Sequence, residues 1–154
     1  MTNLCCDVLK ALSGKTLTTA ESCTGGMIGA GLTSVAGSSA VYKGGIVSYT
    51  NEIKHALLEV PGELLEKDGA VSASVAKAMA DGAKKVLNAD VAVSVTGLAG
   101  PGGDEFGNPV GTVYIGYSDG NISIARHFLF NGDRSQVRKQ AAEAALRLIL
   151  EFQT

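Results

Sequence analysis

A serine and a lysine stand at positions where they could act together as a nucleophile and its base. Ser22 follows a short predicted strand, residues 17–20, and precedes two glycines, which is typical of a corner between a strand and a helix. A side chain on such a corner points out of the sheet, and free N–H groups at the helix start could stabilise an oxyanion or hold a phosphate. The alternative is that Ser22 or Thr24 only caps the helix, and the residues of this segment taken alone favour that alternative.

Lys54 could supply the base. If Asn51 caps the next helix, Lys54 lies in the first turn, where burial and the partial positive charge of the helix N-terminus would lower the pKa of the lysine. A neutral lysine can accept the hydroxyl proton of a serine nucleophile. Tyr49, just before this helix, could donate a hydrogen bond or relay a proton. The alternative is an ordinary surface lysine beside Glu52.

A glycine-rich segment, residues 96–103, follows an almost entirely apolar strand and contains Thr96, Gly97 and Gly100. It begins a loop of roughly a dozen residues, and loops of that length are often functional. It matches neither a Walker loop nor a dinucleotide-binding fingerprint. The density of glycine favours backbone contact with a ligand, and the alternative is a flexible connector.

Arg134 and Arg138 stand four residues apart near the predicted start of the last helix, so they share a face. The planar guanidinium group suits phosphate oxygens. An equally good interpretation is a pair of solvated arginines near Asp133.

Cys23 is a competing candidate nucleophile, and His55 is the candidate base for it. Because Ser22 and Cys23 are adjacent, we expect only one of them to face a pocket. His, Cys and carboxylate residues form no cluster with the spacing of metal ligands, so we predict no catalytic metal.

The composition describes one globular domain. With 154 residues, 45% of them hydrophobic and 18% charged, the chain can bury a core, and we expect a single domain over residues 1–154. A net charge of −2 argues against a general nucleic-acid binder, and no apolar run is long enough to cross a membrane. The chain lacks a signal-peptide pattern, and its three cysteines include no Cys-x-x-Cys pair, so we expect reduced thiols in a cytoplasmic protein.

The apolar periodicity predicts the elements that must position these residues. Helices are expected over residues 4–12, from about 24 to before 37, and over 51–58, 61–69, 72–87 and 133–152, with strands over 17–20, 45–49, 91–95, 112–117 and 122–130. On the helix that Ser72 would cap, the predicted inward face carries Val75, Met79, Ala83, Val86 and Leu87. Strands that interleave with helices and end in two adjacent strands predict an α/β fold, a three-layer α/β/α arrangement with a mixed, mostly parallel sheet. Ligands of such sheets bind beyond the carboxyl ends of the strands, where the three segments would meet.

The sequence resembles the CinA C-terminal domain family in several motifs that follow one order. They are TTAESCTGG at 18–26, GSS at 37–39, GGIVSYTNEIK at 44–54, GAVS at 69–72, TGLAGP at 96–101, PVGTV at 109–113 and GDR at 132–134. The resemblance covers nearly the whole chain. Some relatives carry a larger nucleotide-pyrophosphatase domain in front of this one, and its activity is not implied here.

Stand-alone members of the family are similar to nicotinamide mononucleotide deamidase, which hydrolyses the carboxamide to nicotinic acid mononucleotide and ammonia. The resemblance therefore implies a nucleotide substrate, Ser22 as nucleophile, Lys54 as general base and Tyr49 as an assisting group, with no metal or organic cofactor. The expected substrate-binding residues are Glu21, Thr24, Gly25, Gly26, Gly45, Asn51, Thr96, Gly97, Gly100 and Arg134. The alternatives are an amidase acting on another pyridine nucleotide and a non-catalytic nucleotide-binding module. A homodimer is expected for a domain of this size.

Overall fold

Helices and strands follow one another along the chain in the order that the apolar periodicity predicts. The computed structural model describes residues 1–154. The helices are α1 (Thr2–Ala11), α2 (Met27–Thr33), α3 (Asn51–Leu58), α4 (Gly62–Asp68), α5 (Ala73–Val86) and α6 (Arg134–Gln153), with a 3-10 turn at Ser38–Ala40. The strands are β1 (Leu17–Glu21), β2 (Tyr42–Val47), β3 (Val91–Gly97), β4 (Thr112–Ser118) and β5 (Ser123–Leu129).

The five strands form one sheet in the order β2-β1-β3-β4-β5. Strand β1 pairs in parallel with both β2 and β3, whereas β4 is antiparallel to β3 and to β5. Four strands therefore run in one direction and only β4 runs against them, which confirms the mixed, mostly parallel sheet. The apolar strand β3 is central, as its composition predicts.

Helices cover both faces of the sheet, which confirms the three-layer arrangement. Helices α1, α2 and α6 pack on one face, where the valines of β3 contribute to the larger core; α3, α4 and α5 pack on the other face, which Ala92 joins. On that second face Ser94 donates from Oγ to the carbonyl oxygen of Ala76 in α5. The cysteines are all free. None of the six helices combines the length and the apolar character needed to cross a bilayer.

Two of the predicted helix caps are confirmed and one is wrong. The side chain of Ser72 caps α5 and that of Asp133 caps α6, both as predicted. Helix α3 is capped by Thr50, whose Oγ1 accepts from the N–H of Ile53, and not by Asn51. On α5 the packing ends at Ala83, so Val86, which was expected to be buried, is 46% exposed.

Helix α5 approaches its neighbours so closely that two glycines are required. A Cβ atom at Gly82 would overlap the carbonyl oxygen of Leu58, the last residue of α3. A Cβ atom at Gly116 of β4 would overlap the carbonyl oxygen of Ala76 in α5. The positions of α3 and of the sheet relative to α5 are therefore fixed by backbone contact.

Candidate active site

Ser22 lies at the corner that follows β1. Its N–H donates to the carbonyl oxygen of Val95, which continues the pairing of β1 with β3, and its own carbonyl oxygen accepts from the N–H of Gly25. This turn delays the start of α2 to Met27, three residues later than predicted. The Ser22 side chain, only 7% exposed, is thereby directed into a pocket at the carboxyl ends of the parallel strands.

The carboxylate of Glu21 occupies the start of α2. Its Oε1 accepts from Thr24 Oγ1 at 2.7 Å, Gly26 N at 3.2 Å and Ile28 N at 3.0 Å, and its Oε2 accepts from Gly29 N at 3.0 Å. A buried carboxylate is stable there because the helix start offers unpaired N–H groups and partial positive charge. The expected substrate contacts of Glu21, Thr24 and Gly26 are therefore corrected: these residues build the corner and do not line the pocket.

Arg138 supports the same corner from the opposite side. Its Nε donates to the carbonyl oxygen of Cys23 at 2.9 Å and its Nη2 to that of Thr24 at 3.2 Å. Gly25 has a φ of +59°, and a Cβ atom there would lie 3.4 Å from Arg138. Gly25 is thus a turn residue outside the pocket, and Arg138, unlike Arg134, does not line the pocket.

Gly45 also lies outside the pocket, on β2. A Cβ atom at this position would overlap Thr19 Oγ1 and come within 2.6 Å of the Tyr42 hydroxyl. Those two hydroxyls hydrogen-bond each other at 2.7 Å. Glycine is therefore required for the packing of β2 against β1, and the expected substrate contact of Gly45 is corrected.

Lys54 reaches Ser22 from α3. Its Nζ lies 3.0 Å from Ser22 Oγ and donates to the carbonyl oxygens of Ser48 at 2.8 Å and Tyr49 at 3.4 Å. The lysine is only 1% exposed. Its backbone N–H donates to the carbonyl oxygen of Thr50, so it stands at the end of the first helical turn. The sequence prediction that these two side chains could act together is therefore matched by their geometry.

Burial lowers the pKa of Lys54 from 10.5 to about 8, although the neighbouring Cys23 acts in the opposite direction. In its neutral form the amine has two N–H bonds and one lone pair. Two carbonyl oxygens receive the N–H bonds, which leaves the lone pair for the hydroxyl of Ser22. The surroundings of Lys54 are therefore those of a base that is ready to accept the serine proton.

One backbone N–H group beside Ser22 remains available to an oxyanion. It belongs to Cys23, which lines the pocket and whose N–H has no acceptor in the protein, whereas the N–H groups of Gly25 and Gly26 donate to Ser22 and Glu21. Thr24 is fully buried and does not line the pocket. The N–H of the residue after a nucleophile is the usual first donor on such a corner, so that of Cys23 is the candidate oxyanion donor.

The structure does not place His55 where it could act as a base for the alternative nucleophile, Cys23. Cys23 lines the pocket beside Ser22, which differs from the expectation that only one of them would do so. Burial raises the pKa of Cys23 to about 11, so the thiolate is scarce near neutral pH. His55 lies with Nδ1 2.8 Å from the carbonyl oxygen of Val60 and makes no contact with the cysteine.

The pocket has a volume of about 640 Å³ and opens above the serine and the lysine. Among the residues predicted to contact substrate or act in catalysis, those that line it are Ser22, Tyr49, Asn51, Lys54, Thr96, Gly97, Gly100 and Arg134. They come from the ends of β1, β2 and β3 and from the first turns of α3 and α6. Across the described chain, no group of three or more His, Cys, Asp or Glu side chains is arranged to hold a metal ion.

Tyr49 and Arg134 meet at the mouth of the pocket. Arg134 donates from Nη2 to the Tyr49 hydroxyl at 3.1 Å and from Nη1 to the carbonyl oxygen of Gly100 at 2.7 Å. The Tyr49 side chain is 59% exposed, and its hydroxyl makes no hydrogen bond to Ser22 or Lys54. Tyr49 instead contacts the lysine through its backbone carbonyl oxygen, which accepts a hydrogen bond from Lys54 Nζ.

Sequence reasoning missed one wall of the pocket, formed by residues 69–71 and by residues 104–106, which directly follow the predicted glycine-rich segment. Asp104 shapes the second segment, because its Oδ1 accepts from the N–H groups of Phe106 and Asn108, each at 3.1 Å. Asn108 then donates from Nδ2 to the carbonyl oxygen of Val71 at 3.3 Å, which joins the two segments. An aspartate two residues before an unassigned phenylalanine signals a local turn, but it does not show where the ring will lie.

Comparison with known proteins gives consistent matches along the chain. A model of the CinA C-terminal domain matches residues 2–153. A CinA-like protein of a Geobacter species is 53% identical over 140 residues, which make up 91% of this chain and 34% of that protein. The chain thus spans about a third of the length of the curated relatives it matches.

Solved structures match over nearly their full length. A competence-damaged protein (CinA) superfamily protein from Klebsiella pneumoniae has a TM-score of 0.96 and 36% identity, with 99% of this chain and 96% of that chain covered. The competence damage-inducible protein A (ComA) from Klebsiella pneumoniae subsp. pneumoniae has a TM-score of 0.95 and 37% identity, with 97% and 94% covered.

Proposed function

The chain belongs to the CinA C-terminal domain family, and from that membership together with the pocket we propose that it deamidates nicotinamide mononucleotide. The products would be nicotinic acid mononucleotide and ammonia. The observation that carries the proposal is the 3.0 Å separation of Lys54 Nζ and Ser22 Oγ at the floor of the pocket. A pure binding module has no need of a buried lysine with a lowered pKa against a serine hydroxyl.

In the first half of the proposed reaction, Ser22 forms an ester with the substrate. The serine oxygen bonds to the carboxamide carbon while its proton passes to neutral Lys54. The N–H of Cys23 would stabilise the negative charge that develops on the carbonyl oxygen. The lysine ammonium then gives its proton to the departing nitrogen, the C–N bond breaks and ammonia leaves.

In the second half, water replaces ammonia. Lys54 is neutral again and takes a proton from water as its oxygen bonds to the ester carbon. The bond to the serine oxygen breaks, that oxygen receives the proton from the lysine, and the carboxylate product is released. Lys54 thus accepts one proton and gives one away in each half of the reaction, and the free enzyme is restored.

The substrate phosphate would bind at the mouth of the pocket, against Arg134. The two partners of this guanidinium, the hydroxyl of Tyr49 and a carbonyl oxygen, carry no negative charge. Arg134 therefore has an unbalanced positive charge toward the opening, and an anion there would form charge-assisted hydrogen bonds. Asn51 lines the same pocket and could add a polar contact.

The test is ammonia release from nicotinamide mononucleotide by the purified chain and by Ser22→Ala and Lys54→Met. We expect each variant to lose at least about a thousandfold in kcat while its circular dichroism spectrum is unchanged. Ser13→Ala and Lys67→Met change exposed residues of the same types and should leave turnover intact. Undiminished turnover in either pocket variant would rule out the mechanism. Release from another pyridine nucleotide alone would favour the related amidase, and binding without turnover would favour the non-catalytic module.

The expectation of a homodimer in the cytoplasm stays a prediction that accompanies this proposal. It rests on the size and the cysteine content of the chain. Light scattering of the purified protein at micromolar concentration would give its mass directly, and a monomer mass would contradict the dimer.

A further inference from the structure

Phe106 is an aromatic side chain that the proposed mechanism leaves without a role. It lines the pocket and is 44% exposed, so part of the ring is open to a ligand. Tyr49 is the only other aromatic residue of the lining, and its hydroxyl is bound to Arg134 at the mouth. An open aromatic ring in a pocket is therefore the feature that calls for a ligand.

The ring is held in place before any ligand binds. A Cβ atom at Gly69 would lie 2.6 Å from both Cδ2 and Cε2 of Phe106, so the ring rests directly on the backbone of that glycine. The N–H of Phe106 donates to Asp104, and Asn108 joins the loop to Val71. One part of the ring thus has a rigid support, and the remainder is open to the pocket. Such pre-organisation reduces the entropy lost when a ligand is bound.

The charges around the ring differ from those at the mouth. Asp104 and Glu105 line the pocket next to Phe106, whereas Arg134 lies on the α6 side. A ligand that carries a cationic ring and an anionic phosphate would match both regions. The face of a phenylalanine ring also attracts cations, because the ring quadrupole is negative on its face.

We propose that Phe106 is a specificity-determining residue that stacks on the ring of the substrate and selects the cationic pyridinium form over the neutral dihydropyridine form. This inference rests on the proposed function, since it assigns the ring-binding part of the same pocket. It predicts that an aromatic side chain at position 106 contributes to the binding of the oxidised nucleotide and much less to that of the reduced nucleotide.

Binding to a Ser22→Ala background separates this inference from turnover. Calorimetric titration with nicotinamide mononucleotide and with its reduced form gives two dissociation constants for each variant. We expect Phe106→Leu to weaken binding of the oxidised form about 3- to 10-fold, as loss of stacking and cation–π attraction implies. With phenylalanine present, the dissociation constant of the reduced form divided by that of the oxidised form should be greater than one. In Phe106→Leu this ratio should approach one.

Two further variants control for changes in the loop. Phe106→Tyr keeps the ring and should retain the affinity and the ratio, whereas Val86→Ala removes exposed apolar surface outside the pocket and should change neither. An unchanged affinity and ratio in Phe106→Leu, equal losses in the leucine and tyrosine variants, or no binding of either nucleotide would overturn the inference. A ring-dependent preference in a chain whose unmutated form releases no ammonia would instead overturn the proposed function alone.

Discussion

Arg138 donates from Nε to the carbonyl oxygen of Cys23 at 2.9 Å, so the last helix of the chain holds the corner that carries Ser22. Arg134 lies one turn earlier on the same helix and points instead at the mouth of the pocket. Two arginines of one helical face thus serve different parts of the site. This division leads to opposite kinetic expectations for the two side chains.

Arg138→Met should lower kcat about tenfold or more with little change in KM, because it removes charge-assisted hydrogen bonds that position the corner.

Arg134→Met should raise the KM for nicotinamide mononucleotide by a similar factor, because the phosphate loses its partner. Nicotinamide riboside, which has no phosphate, should be processed equally by Arg134→Met and the unmutated chain. Steady-state ammonia release with both substrates measures this, and a KM effect that persists with the riboside would contradict the phosphate contact.

The pH dependence of kcat/KM should report the ionisation of Lys54. Burial lowers the pKa of this lysine to about 8, and only the neutral amine can accept the serine proton. Activity should therefore rise with pH through about pH 8 and then level off. Lys54→Arg should be inactive across that range, because a guanidinium stays charged. A flat profile between pH 6 and pH 9 would contradict the role of Lys54 as base.

The same lysine should link stability to pH. Its pKa in the folded protein is about 8 against 10.5 for the unperturbed group, so the unfolded chain binds more protons between these values. The unfavourable burial of the charge is fully present below pH 8 and is relieved as the pH rises to 10.5. The free energy of unfolding should rise across this window by up to roughly 3 kcal/mol relative to Lys54→Met. Urea denaturation at pH 7 and pH 10 measures the difference. Lys67→Met, which changes an exposed lysine and keeps Lys54, is the control and should show the same rise as the unmutated chain.

Cys23→Ala should keep turnover within about a factor of three of the unmutated chain, because the contribution expected of this residue is its backbone N–H, which alanine retains. The pKa of the thiol, raised by burial to about 11, also leaves little thiolate for catalysis. Iodoacetamide should accordingly react slowly at pH 8. Abolished turnover in Cys23→Ala, with Ser22 intact, would revive the thiol as nucleophile.

Glu21→Gln should destabilise the fold by about 1–3 kcal/mol, because an amide cannot accept at both ends as the carboxylate does. The start of α2 would lose the hydrogen bonds that one of the two carboxylate oxygens accepts, and a compensating negative charge. Chemical denaturation gives the change, and Glu63→Gln, at an exposed first-turn position of α4, is the matched control. Equal stability of the two variants would show that the carboxylate at the start of α2 has no special importance.

The parts of the site that periodicity determines could be predicted from the sequence. Ser22 follows a predicted strand and Lys54 lies in the first turn of a predicted helix, and parallel neighbouring strands must bring their carboxyl ends together. The prediction that the two residues could form a pair followed from those elements. The central place of β3 followed in the same way from its almost entirely apolar sequence.

The parts that depend on side-chain direction could not be predicted. Glu21 and Gly26 stand inside a motif that suggests ligand contact, yet the carboxylate turns back to the helix start, and sequence spacing contains no information about that rotation. Thr50 and Asn51 are both good caps, and backbone dihedrals decide between them. The position of Phe106 depends on a glycine on a distant segment, which no local pattern indicates.

Gly82 lies outside the active site but controls the distance between Lys54 and Ser22. Leu58, whose carbonyl oxygen leaves no room for a side chain at Gly82, lies one turn after Lys54 on α3. An added methyl group would push that helix outward and carry the lysine away from Ser22. Helix α5, which holds the glycine, contributes no residue to the pocket. A relative that keeps both the serine and the lysine but has a larger residue at this position could therefore have lost its activity. The presence of the two residues is thus not sufficient to classify a member of the family as active.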